Sequence, residues 1–452
     1  MTTLNKHIIS RLIPITIFFL TIYTALPYVK PGIPFVASLD NTMLRWGVSI
    51  LILIVFFLTR YSFYDKRNED NMIIIWIYLL WNAVCIVRGM FVAEIYWDWK
   101  ALTGNTMALM LPIIIIAATN KSIVQSTLSF YMKYMFPLFL LFIVLLRTDA
   151  YGFYLVPVTF LLLFFPVLTK RYKILLLAAA VIVLVADLGA RSNVIKFGVP
   201  LLIILMYYLR KKIPSNTYEI LRLSLFIAPL LFFALGVSGV FNVFNMKNYI
   251  KGEYTATGVD NRGDIVEMDV TSDTRTFIYE EVLESAIDNN YWLLGRTPAR
   301  GNDSYTFGVY AYELTGRNER LSNEVGLANI FTWTGLVGVV IYMIIFFRAT
   351  YLAVNKSRNL FSKLIGVYVA FRWLFAWIED ISDFSLNYFM IMTMLGLCFS
   401  YSFRNMNDTE VVVWVRGIFD IRYIRFQEYL MNKSKAQEKE SKRLINLSTQ
   451  EE

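Results

Sequence analysis

The chain has 452 residues, 57% of them hydrophobic and only 17% charged, where an ordinary soluble domain carries about a quarter charged residues. Apolar runs of about eighteen to twenty residues, the length that spans a bilayer core, recur from near residue 8 to residue 403 and exclude a soluble fold with a membrane tail. The net charge of +9 has no basic, aromatic-interleaved soluble domain to carry it, which argues against nucleic acid and for basic cytoplasmic loops.

The amino-terminal stretch "MTTLNKHIISRLIPITIFFL" stays apolar to Tyr28 without a small-x-small cleavage site, so it reads as a retained first helix. Hydropathy predicts about twelve spans, near 8–28, 43–62, 71–91, 103–119, 129–147, 152–169, 172–189, 193–210, 219–243, 325–347, 361–378 and 385–403. Lys and Arg concentrate in "RYSFYDKRNED", "TKRYK", "LRKK" and "RATYLAVNKSR", whereas "EIYWDWK", "ADLGARS" and "IEDISD" alternate with them on the other side. The positive-inside rule then puts both termini in the cytoplasm. The expected fold is an all-α polytopic membrane protein with one large, partly helical loop facing outward between spans 9 and 10. Its parts are 1–243 (spans 1–9), 244–323 (the loop), 324–403 (spans 10–12) and 404–452 (a cytoplasmic tail).

Within the loop, "SDT" offers side-chain caps, and Arg275 to about Asn289 reads as a helix with an apolar stripe at Tyr279, Leu283, Ala286 and Ile287. "LLGRTPARGN" breaks that helix with Gly and Pro. After Asn405, an aromatic-basic stretch reads as an interfacial segment, followed by a solvated, mixed-charge extension. The single histidine, His7, excludes a His-based metal site, and Cys85 and Cys398 fall in apolar runs where they pack as small hydrophobes. No phosphate-binding glycine loop of the nucleotide type is present, and "RGD" at Arg262–Asp264 is a tripeptide expected by chance.

The candidate chemistry lies in outward-facing charges. Arg191, Arg275, Arg296 and Arg300 bring planar guanidinium forks suited to phosphate. The alternative for Arg191 is an ion pair with Asp187 one helical turn earlier, and for Arg275 a pair with nearby carboxylates. Glu324 opens a span, where a carboxylate partly shielded from water has a raised pKa and acts as general base; the alternative is a helix amino-terminal acid with Asn323 as cap. Tyr305, Tyr310 and Tyr312 offer faces for sugars or serve as interfacial aromatics. Arg372 with Glu379, Asp380 and Asp383 forms another ionisable group at the outer end of a span.

Three stretches, "GARSNVIKFGVPLLIIL", "RTFIYEEVLESAIDNNYWLLGRTPARGN" and "NEVGLANIFTWTGLVGVVIY", in this order on about twelve spans, resemble the O-antigen ligase and O-antigen polymerase superfamily of bacterial inner-membrane glycosyltransferases. The resemblance implies a GT-C-like fold in the inner membrane, a periplasmic active site, and inverting glycosyl transfer without metal, nucleotide sugar or other cofactor. It implies an undecaprenyl-diphosphate-linked oligosaccharide as substrate and makes a chain-length regulator a plausible partner. Carried over by position, Arg191 and Arg275 match the two arginines that act on the diphosphate. Glu324 stands where many ligases have histidine, a departure that favours polymerase over ligase. Arg296 or Arg300 assists at the diphosphate, and Asn323, Tyr279 and Tyr305 are further candidates for substrate binding. A lipid-linked sugar transporter is the competing class; such proteins usually show repeat halves, and no internal repeat is evident here.

Overall fold

The computed structural model describes residues 3–30, 39–64, 72–187, 190–245, 247, 249, 254–259, 265–269, 273 and 275–426. The Arg262–Asp264 tripeptide and the mixed-charge end of the tail, beyond residue 426, lie outside the described residues.

Helices dominate for a physical reason. In hydrocarbon each backbone N–H and C=O must be bonded within the protein, and an apolar helix does this within its own segment. In chain order the helices up to the loop are α1 (Thr3–Ala25), α2 (Thr42–Phe63), α3 (Ile73–Val92), α4 (Tyr96–Ala118), α5 (Lys121–Leu145), α6 (Val156–Leu162), α7 (Lys170–Ala186), α8 (Arg191–Tyr208) and α9 (Asn216–Val237). After the loop come α12 (Gly326–Asn355), α13 (Leu360–Phe375) and α14 (Leu386–Phe399). Among the described residues six helices, α2, α3, α4, α5, α9 and α12, are long and apolar enough to cross a membrane. The fold is that of an all-α, multi-pass membrane protein.

The other predicted spans fall on shorter or broken helices. The stretch 152–169 is divided into short pieces, and Pro157 and Pro166 each sit in the first positions of a new piece, where proline opens a helix it cannot continue. A π-helical turn at Tyr131–Met135 interrupts α5 just ahead of Pro137. Every residue of α14 is buried, as expected of a helix that is apolar all round. Trp373, Tyr342, Tyr368 and Tyr388 are among the largest fully enclosed side chains of the core around it.

The segment between α9 and α12 holds a hairpin, β1 (Thr255–Val259) with β2 (Ile265–Asp269), then α10 (Thr276–Asp288), the short strand β3 (Asn302–Asp303), α11 (Gly308–Thr315) and β4 (Glu319–Arg320), which pairs with β3. The predicted loop helix is α10, and Asp273 caps it by accepting from the backbone N–H of Arg275 and of Thr276, each at 3.0 Å. Its buried face differs from the predicted stripe. Ile278, Val282 and Ala286 are buried, whereas Ile287 is 68% exposed. Glu281 shares the buried face because its carboxylate accepts from Ser304 Oγ (2.8 Å), Tyr305 N (3.0 Å) and Thr306 N (2.8 Å). Hydrogen bonds to the ionised form make that burial tolerable.

The Gly/Pro stretch after α10 does more than end a helix. It enters a break in α12 at Gly335, whose φ of 67° and ψ of −173° lie outside helical space. Arg296 N donates to Thr332 O (2.7 Å), and Leu336 N and Val337 N donate to Trp292 O (3.0 Å) and Leu293 O (3.3 Å). From α3, Arg88 donates to Leu294 O (2.7 Å) and Gly295 O (3.1 Å), and Trp81 Nε1 to Thr334 O (2.9 Å). Backbone groups released by the break are thereby satisfied within the protein, as an interruption inside an apolar helix requires.

The first part of the tail is not a lipid-facing segment. It forms α15 (Asp408–Phe419), whose Val411, Trp414 and Val415 are buried. Gln125 Nε2 donates to Trp414 O (2.6 Å), and Trp414 Nε1 to Lys121 O (3.0 Å), so its apolar face meets α5.

Candidate functional site

The corner between α13 and α14, residues 376–385, organises the loop end of the bundle. The first turn of α12 has no side-chain cap. Gly326 N instead donates to Glu379 O (3.0 Å) and Leu327 N to Ala376 O (3.1 Å), so orphan donors of one helix meet carbonyls at the end of another. A side chain at Gly326 would put its Cβ 2.7 Å from Ile381 N, so only glycine permits this approach. Asn323 does not cap the helix as the sequence suggests. Its N–H donates to Asn329 Oδ1 (2.6 Å) and its carbonyl accepts from Asn329 Nδ2 (2.9 Å), which also donates to Ser382 Oγ (3.0 Å). Asn323 is buried, and its own Nδ2 donates to Asn302 Oδ1 (2.8 Å).

This scaffold brings Arg275 and Glu324 together. Arg275 Nε donates to Ile378 O (3.1 Å) and its Nη1 to Glu324 Oε2 (2.8 Å). Tyr279, one turn along α10, donates its hydroxyl to Trp377 O (2.7 Å) and so anchors the helix to the same corner. A third charge, absent from the sequence-based candidates, completes the group: Arg320 Nη2 lies 3.6 Å from Glu324 Oε1. Its guanidinium sits over the Phe307 ring at 4.5 Å, and its buried Nη1 makes no hydrogen bond among the described residues. Burial pulls the Arg320 guanidinium below its ordinary range, with the Glu324 charge opposing. Side-chain exposure is 23% for Arg275, 15% for Arg320 and 61% for Glu324. Glu324 is thus held by ion pairs at the surface, not shielded from water as its place before a span suggests. Arg275 and Arg320 thus share the Glu324 carboxylate, and the Glu281 charge also acts on Arg320.

Arg296 and Arg300 use their donors differently. Arg296 bonds Gly301 O (2.8 Å), Asp303 Oδ1 (2.9 Å) and Glu319 Oε1 (3.0 Å). Arg300 forks onto Glu319, with Nε to Oε2 at 2.8 Å. Together they brace β3 against β4. Arg317 ties this unit to the α3–α4 turn through Asp98 (3.0 Å) and Glu94 (2.6 Å). Tyr305 is 74% exposed, beside the Glu281 cluster to which its N–H donates.

Arg191 begins α8 and is exposed. Asp187 lies past the end of α7, and its Oδ1 accepts from Ala190 N (3.1 Å), so the two residues are not one turn apart on a single helix. Five residues later, about 7.5 Å along the axis, Lys196 is fully enclosed and pairs with Glu379 at 2.5 Å. Arg372 reaches the other Glu379 oxygen (3.2 Å) and Asn387 Oδ1 (2.9 Å). Arg191 therefore shares an end of the bundle with Arg275 and Glu324. Its sequence signal was clear; that of Lys196, a lone lysine inside "VIKFGV", was equally available as a charge within an apolar run. Asp380 and Asp383 complete the corner; Asp380 is part-buried, with its carboxyl raised by desolvation, and Asp383 is exposed.

No protein-family model, curated protein or solved structure matches the chain.

Proposed function

We propose that the chain is an inner-membrane glycosyltransferase, a polymerase that joins undecaprenyl-diphosphate-linked repeat units of a surface glycan outside the cytoplasm. In this reading about twelve helices cross the membrane, both termini are cytoplasmic, and the 238–325 segment faces the periplasm. The observation that carries it is the sharing of the Glu324 carboxylate by Arg275 and Arg320 beside the 376–385 corner. A diphosphate is a stronger partner for a guanidinium fork than a single carboxylate. Its arrival displaces Glu324 from Arg275 and leaves that carboxylate to accept a proton.

The acceptor hydroxyl oxygen attacks the anomeric carbon of the donor glycan, and the bond from that carbon to the diphosphate breaks. The bonding pair leaves with undecaprenyl diphosphate, and the hydroxyl proton passes to Glu324. Arg275 and Arg320, joined by Arg191 from the start of α8, offset the charge that develops on the leaving group. Arg296 and Arg300 hold the loop in shape through Glu319 and Asp303.

The test is the surface glycan of a strain lacking the chain, complemented with variants. Single repeats on the surface are expected from the deletion; long chains left on undecaprenyl would instead mark a ligase. Arg275→Lys is expected to lose polymer nearly as fully as Arg275→Ala, because a lysine cannot reproduce the fork. Glu324→Gln is expected to accumulate at normal levels and to slow chain growth by about 10²–10⁴-fold, the usual contribution of a positioned base. Full-length polymer from the Arg275 variants and from Glu324→Gln would remove the diphosphate and base roles.

A further inference from the structure

A cavity of about 140 Å³ opens between α1, α2 and the 376–385 corner. It is similar in size to cavities of about 150 Å³ that take a benzene ring. Its walls are of two kinds. Phe19, Tyr28 and Phe153 present rings, and Asp380, Asp383 and Asn387 present polar ends. Asn387 is only 4% exposed. Its Oδ1 accepts from Arg372 Nη2 (2.9 Å), which fixes the amide's orientation because a guanidinium only donates. The amide nitrogen, Nδ2, has no hydrogen bond among the described residues, and Asn387 lines the cavity. Asp380 Oδ1 accepts from Ser382 N (2.8 Å) and Oγ (2.7 Å), and Asp383 Oδ1 from Ser385 Oγ (2.7 Å). A carboxylate has about four lone-pair sites, so each retains acceptor capacity.

This inventory selects a ligand class. Asp380 and Asp383 offer a phosphate no cation, and the one basic side chain among the lining residues, Arg45, is paired with Asp40 at 2.5 Å. A neutral, polyhydroxylated six-membered ring satisfies all the groups. Its hydroxyls donate to Asp380 and Asp383 and accept from Asn387, while its C–H face lies on an aromatic ring. The cavity also lies close to the charged cluster. Arg275 is bonded to Ile378 O, and Asp380 is two residues further on, about 7 Å of chain at most. We propose that this cavity is a subsite for one neutral sugar ring of the acceptor, held by Asp380, Asp383 and Asn387. The assignment to the acceptor rests on the glycosyltransferase reading; the sugar chemistry rests on the cavity.

The experiment is saturation-transfer-difference NMR on the full chain in nanodiscs, with methyl glycosides of glucose, galactose and N-acetylglucosamine as probes. Signal transfer is expected to at least one of them. Asp383→Asn should weaken that probe by about tenfold or more, the worth of a hydrogen bond to a charged group. Ser49→Trp, which fills the cavity, should abolish transfer, and Arg320→Gln should preserve it. Thermal unfolding of each variant separates lost binding from lost folding, and Asp383→Asn keeps the side-chain shape. No transfer to the wild type, or equal transfer to a folded Ser49→Trp, overturns the site. Stabilisation of the wild type by Na⁺ or Mg²⁺, lost in Asp383→Asn and unmatched by any sugar, overturns it in favour of a cation. Elongation assayed on the same preparations separates the two proposals. Sugar transfer without elongation contradicts the glycosyltransferase reading alone, and elongation without sugar transfer contradicts the subsite alone.

Discussion

Replacing Gly335 with alanine is expected to destabilise the folded chain severely and lower its unfolding temperature. The backbone there has φ 67° and ψ −173°, a region essentially reserved for glycine. A Cβ would also lie 2.3 Å from Leu293 O and 2.4 Å from Gly295 N. Both are backbone atoms of the segment lodged in the α12 break, so neither can rotate away. Strain and overlap together are expected to destabilise by about 3 kcal/mol or more. The segment's hydrogen bonds to Thr332, Leu336 and Val337 would be disrupted with it. Thermal unfolding of the purified protein checks this, with Gly198→Ala as control, since a Cβ at Gly198 meets nothing within 4 Å. The control should match or slightly exceed the wild type, because helical alanine is favoured over glycine by about 0.5–1 kcal/mol. A Gly335→Ala protein that melts with the wild type would show that the inserted segment does not depend on this contact.

The second large effect is expected at Glu379. This carboxylate is buried between Lys196 and Arg372, at 2.5 and 3.2 Å, and neither cation is more than 2% exposed on its side chain. Glu379→Leu leaves two enclosed positive charges without their shared partner. Breaking a buried pair in this way typically costs about 3–5 kcal/mol. Lys196→Met removes one of the two cations and leaves Arg372 with Glu379 as a matched pair, so its loss should be clearly smaller. The measurement is the unfolding midpoint of both variants in the same detergent. An equal or larger loss in Lys196→Met would mean that the network is not governed by charge balance.

Much of the helical framework was legible in the chain, because the bilayer imposes a length and a polarity on each segment and apolar runs report both. The α10 start was legible as well, since Asp273 stands where a cap is needed. Its buried face was not. The helical spacing of apolar residues favoured Ile287, but the Ser304 hydroxyl and the 305–306 backbone supply donors that draw Glu281 inward, and such long-range partners leave no local pattern. The same holds for Arg296 and Arg300. As residues they suit phosphate; only the β3–β4 pairing places Glu319 and Asp303 against them. Arg320 carried a usable signal, four residues before Glu324, yet its value as a second guanidinium depends on Arg275 arriving from 49 residues earlier in the chain. The cavity at Asp380, Asp383 and Asn387 joins the first two helices to the last corner, a meeting that spacing along the chain cannot convey.

The most direct measurement is chain growth by the purified full-length protein in vesicles loaded with a labelled undecaprenyl-diphosphate repeat unit. A ladder of longer glycans is expected, with one undecaprenyl diphosphate released for each new bond, and both are expected to be lost in Arg275→Lys. Labelled lipid that crosses the bilayer unlengthened, or a full ladder from Arg275→Lys, would contradict the polymerase reading.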